Sequence, residues 1–227
     1  VTTIRLNASF STHVPHFEIA ICASRRKELP KWLPWACLGA LGLIVFQGIL
    51  GGLTVTQMLR FDIVTAHLGT ALLFFASLVI IALCLTPYQG TTTAGTLRWV
   101  SLTAAILVYV QCLLGALVGS RWALHQCFGG SQLCAVMNSH IIGVVPATLA
   151  TLAVVATAWR TPALHPTLRK LAWVAGGIVV LQVLLGVATF YLHLQVEPLT
   201  VSHHTVGAAL FATLDALTTL GMRDAKA

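Results

Sequence analysis

QGILGGLTVTQMLRFDIVTAHLGTALLFF, residues 47–75, decides how this chain folds. It is the end of one apolar run, a short turn, and the start of a second run that holds a lone imidazole, His67. A bilayer crossing takes about 20 predominantly apolar residues. Six such runs lie near 33–53, 62–85, 97–119, 138–159, 171–192 and 199–220, each almost free of charge. A membrane barrel would show short alternating segments instead. The expected fold is therefore all-α, a polytopic membrane bundle of six transmembrane helices.

Composition agrees. Of 227 residues, 57% are hydrophobic and only 8% charged, against about a quarter charged in a soluble domain. The formal charge of +7 does not point to nucleic acid, because the basic residues sit in particular loops. Arg25, Arg26, Lys27, Lys31, Arg98, Arg160, Arg169, Lys170, Arg223 and Lys226 fall on one side, and only Arg60 and Arg121 on the other. By the positive-inside rule both termini are cytoplasmic. Residues 1–32 read as a cytoplasmic amino-terminal segment. The opening VTTIRLNASFSTHVPHFEIA lacks the features of a signal peptide, and the patch FEIAICA is too short to span.

A repeat organises the spans. QGILG at 47, QCLLG at 111 and QVLLG at 182 all fit QxxLG, and each is followed by a helix with a histidine near its start, His67, His140 and His204. VTAHLGTALLFF also resembles VSHHTVGAALFA around His204. Three copies of one hairpin result, out along a QxxLG helix and back along a His helix. Thr70 and Ala71, Gly143, and Gly207 with Ala208 follow the histidines by one turn, on the same helix face. Each imidazole is thus expected beside a flat strip of small residues, and two opposed strips make a slot for a thin planar ligand. Haem suits that slot, with neutral imidazoles as axial ligands. A single intramembrane histidine is more often a helix-to-helix hydrogen bond, but three at equivalent places point to function.

The remaining polar residues read more plainly. His203 adjoins His204 but points about 100° away on a helix, so it is expected to be a bystander near the headgroups. His13, His16, His125, His165 and His193 read as surface residues. Gln47, Gln111 and Gln182 read as stitches between helices, with Gly51, Gly115 and Gly186 allowing close approach. Asp62 reads as a helix N-cap, and Asp215 lies deep in the last span without an obvious partner. Cys22, Cys37, Cys84 and Cys112 read as small hydrophobes. Cys127 and Cys134 share the longest outer loop, RWALHQCFGGSQLC, where a short disulfide-closed loop is expected. A cycling thiol pair, or a metal site with His125, is the alternative. No CxxCH occurs, which excludes c-type attachment.

QGILGGLTV with VTAHLGTALLFF, QCLLGALV with the outer-loop cysteines, and QVLLGVAT with VSHHTVGAALFA together resemble haem A synthase, over residues 25 to 220. That family has eight spans in two four-helix halves and oxidises a haem o ring methyl to the formyl of haem a, for terminal oxidases. The resemblance implies a bacterial plasma-membrane oxidoreductase with haem b between His140 and His204, and with His67 as a ligand of the substrate haem. It implies a Cys127–Cys134 disulfide. It also divides the spans into residues 33–96, the remainder of the amino-terminal substrate-haem half, and 97–227, a carboxy-terminal four-helix bundle on the cofactor-haem side. Haem o, membrane lipid, haem O synthase or a terminal oxidase, and a second copy of the chain are the implied partners.

RRKELPKWL resembles the loop after the family's second span, but the residues before it do not spell that span. Its histidine and catalytic glutamate are not in this chain. The alternative reading is thus a catalytically incomplete b-type haem protein, an electron carrier or haem-handling assembly factor. A transporter ranks last, because paired half-helices are not seen.

Overall fold

A computed structural model describes residues 29–119, 132–192 and 195–226. They form six helices and, among the described residues, no strand: α1 (Leu33–Thr56), α2 (Phe61–Leu85), α3 (Leu97–Gly119), α4 (Gln132–Trp159), α5 (Pro166–Tyr191) and α6 (Glu197–Asp224). All six are long and apolar enough to cross a membrane. The chain divides into two contact units at Gly42/Leu43. In the first, residues 33–42 are the opening turns of α1. Everything below concerns the second.

Helix ends exceed the apolar runs where local chemistry allows. α5 starts at Pro166, whose missing N–H costs nothing at a helix start. His165 caps it, its Nδ1 accepting from the Thr167 N–H at 3.2 Å. His165 also stacks on Tyr88 with ring centroids 4.8 Å apart, so it is more than a surface residue. Asp62 is not the N-cap of α2. It lies inside the first turn, where it pairs with the exposed Arg60 at 2.7 Å and faces the positive helix end.

Helices α3, α4, α5 and α6 pack in a closed ring, each on two neighbours, and α2 lies against α3 and α6. The two ends of the ring differ. Where α3 and α5 begin and α4 and α6 finish, the interior is solid. Ala104, Ala172, Ala175, Val154, Leu168, Leu214 and Leu217 are buried there. Ser101 bridges to Thr218 at 3.1 Å, satisfying two hydroxyls that lipid could not. Large side chains point outward instead, among them Ile142, Leu149, Trp159 and Leu184. Small inside and large outside is the packing of helices whose exterior is hydrocarbon.

The solid end is tied off by the last turn of α6. Asp224 is fully buried and accepts hydrogen bonds from the Thr91 and Ala94 N–H groups at 2.7 and 2.9 Å and from the Tyr88 hydroxyl at 3.3 Å. Arg223 donates to the carbonyls of Leu83 and Thr86, the unpaired acceptors at the end of α2. The α2–α3 connection is thereby fastened to the far end of the chain.

Candidate cofactor cavity

The opposite end of the ring is hollow. A cavity of about 490 Å³ lies within the ~300–1,000 Å³ range of small-molecule and cofactor sites. All four ring helices line it, and its walls are mostly apolar, with no carboxylate among them. Its polar groups are few. They include Gln111, His140, Gln182, His203 and His204, with Cys112 beside them. A second hollow of about 410 Å³, between α2 and α3, is an open groove that no histidine lines.

The three QxxLG motifs do one job in three places. In each, the glycine presents bare backbone to an imidazole of the following helix. A Cβ would stand 3.3 Å from His67 Cε1 at Gly51, 3.1 Å from His140 Cε1 at Gly115, and 3.0 Å from His203 Cε1 at Gly186. The glutamine one turn earlier supplies an amide. Gln47 Nε2 lies 3.3 Å from His67 Nε2, and Gln182 Nε2 lies 3.4 Å from His203 Nε2. Gln111 makes no such bond; its amide packs onto Gly143, where a Cβ would overlap it. In all three units the glutamine Oε1 is buried without a partner, and His140 and His203 also lean on the backbone of Gln111 and Gln182.

The third imidazole of this pattern is His203, which corrects the reading of it as a headgroup bystander. The ungapped match of VTAH with VSHH aligns His67 with His204, but the glycine on the preceding helix receives the neighbouring ring. His203 lines the cavity, its ring centroid 6.5 Å from that of His140 and the planes nearly perpendicular at 87°. His204 lines it too, turned toward α3, with Nε2 3.4 Å from the Cβ position of Gly119. His140 thus faces a pair of adjacent imidazoles. His67 is set apart, on α2, and does not line the cavity.

One other expectation changes. The small residues after the histidines do not leave a bare strip, because the Gln111 and Gln182 amides cover Gly143 and Gly207. Cys112, read as a small hydrophobe, forms part of the cavity wall. Asp215 keeps a buried Oδ2 with no hydrogen bond. Cys127 lies outside the described residues, as do His13, His16, His125 and His193, so the Cys127–Cys134 pairing has no geometry to report.

Sequence comparison adds the following. The family described as COX15-CtaA, cytochrome oxidase assembly protein, matches residues 9–214. A protein named heme A synthase from Caulobacter vibrioides is 30% identical over 222 residues, covering 84% of this chain. The chain spans 64% of that relative's length. No solved structure matches. With almost its whole length matched and its repeated Gln–Gly–His units assembled in the membrane-spanning helices, the chain belongs to the COX15-CtaA family of cytochrome oxidase assembly proteins.

Proposed function

We propose that the cavity is a bis-imidazole haem b site and that the chain converts haem o to haem a, oxidising a ring methyl to a formyl group for terminal oxidase assembly. The observation that carries the haem reading is the facing of His140 and His203 across an apolar hollow, with ring centroids 6.5 Å apart. Two imidazoles on opposite sides of one metal, with bonds of about 2 Å each, hold their centroids roughly 6 Å apart. His204, which the sequence repeat favours, is the competing ligand opposite His140.

Bound haem b supplies electron-transfer chemistry at its iron. The chain's residues bind, orient and keep water out. His140 and His203 would hold the haem from α4 and α6, while Gly115 and Gly186 let the rings lie against the neighbouring helix and apolar walls exclude solvent. His67, held by Gln47 and Gly51, is the ligand for the substrate haem o. This reading puts the cavity end at the outer face of the bacterial plasma membrane and both termini in the cytoplasm, following the Lys and Arg bias. Haem O synthase or a terminal oxidase is the partner for handover.

A second reading is favoured by one observation: among the described residues no carboxylate lines the cavity. It is a haem-binding carrier or assembly factor without oxygenase activity. Incubation of the purified full chain with haem o, reductant and oxygen, followed by pigment extraction, separates the two. The enzyme returns a hydroxylated or formylated ring, and the carrier returns haem o unchanged. A colourless protein that takes up no haem overturns both.

A further inference from the structure

Resting on the haem reading above, we propose that Gln182 is a place-holder, occupying the iron-binding nitrogen of His203 until haem enters. A neutral imidazole nitrogen carries either one lone pair or one N–H, so Nε2 cannot serve an amide and a metal together. The Gln182 amide lies 3.4 Å from that nitrogen. Exchanging the amide's N and O changes which group donates but still leaves Nε2 engaged. Nδ1 offers no second route, because it is buried and lies 3.6 Å from the Cβ position of Gly186 on α5.

The opposing ligand is not held this way. No side-chain hydrogen bond joins the Gln111 amide to His140, although both residues occupy the same places in the repeat; that amide rests on Gly143, and it is the Gln111 backbone that His140 meets. The cavity therefore has one ready imidazole and one latched imidazole. The latch spares His203 a further unpaired nitrogen in an apolar wall and must open for six-coordinate ligation. The Gln47–His67 contact at 3.3 Å repeats the arrangement on α2.

The test follows haem b uptake by the haem-free full chain through its Soret absorption. Gln182→Leu keeps similar volume and removes the competing group. It should bind haem b about fivefold more tightly, the factor carried by one neutral hydrogen bond. Gln182→Glu, a stronger acceptor for the imidazole N–H, should bind more weakly than the unsubstituted chain. Ser101→Ala, at the solid end, serves as the control. A Leu variant that binds no more tightly, or releases haem faster, overturns the latch. Should that variant not fold, judged by helical circular dichroism, Gln182→Met makes the same comparison. An unsubstituted chain that takes up no haem overturns the site reading itself, a result distinct from failure of the latch alone.

Discussion

The same four helices build a solid end and a hollow end, and the difference lies in what faces inward. At the solid end alanine and leucine meet alanine and leucine and Ser101 answers Thr218, with Arg98 Nε and Asp215 Oδ2 the atoms left unpaired. At the hollow end glycine faces imidazole, and the buried glutamine Oε1 atoms go without partners. One end is filled by its own side chains, and the other encloses a cavity of about 490 Å³.

Substitutions that act on one end only would sharpen the contrast. The largest effect is expected at the hollow end. His140→Ala and His203→Ala should each abolish the six-coordinate haem spectrum while helix content is unchanged. His204→Ala should keep that spectrum if His203 is the ligand; loss with His204→Ala and retention with His203→Ala would reverse the assignment. Next comes the tie at the solid end. Asp224→Ala leaves the buried Ala94 N–H unpaired, at about 1–3 kcal/mol, and frees the more exposed Thr91 N–H. Thermal unfolding in detergent should register that loss, with the haem spectrum unaltered in the surviving folded fraction.

Smaller still is overpacking. Ala172→Leu forces extra methylenes among fully buried neighbours and should cost about 1–3 kcal/mol, again without spectral change. The smallest expected effect is Gly186→Ala, whose new Cβ would meet His203 Cε1 at 3.0 Å. A shift of a few tenths of an ångström in the ring should alter the haem absorption bands and leave the unfolding temperature nearly untouched. If Gly186→Ala destabilised the fold as much as Ala172→Leu, the division between the ends would fail.

Much of the fold was legible because a bilayer imposes length and polarity on every span. Runs such as 62–85 and 97–119 match α2 and α3 within a residue. The repeat was legible too, since QxxLG is written three times. What sequence could not decide was which of His203 and His204 belongs to the repeat. Similarity along the histidine helix favours one, and a glycine on the preceding helix selects the other. The Asp224 tie was equally hidden. It joins residues more than 120 apart through backbone groups, which leave no trace in composition. Arg223 was counted only as a topological charge, whereas its guanidinium closes the end of α2.

The position of that tie has a consequence for how the chain is made. Residues 223 and 224 are synthesised long after the loop at 88–94, so the joint between α2 and α3 stays unfastened until α6 has been inserted. A stop codon just before Arg223 would spare every cavity-lining side chain described and yet unlock a connection more than a hundred residues upstream.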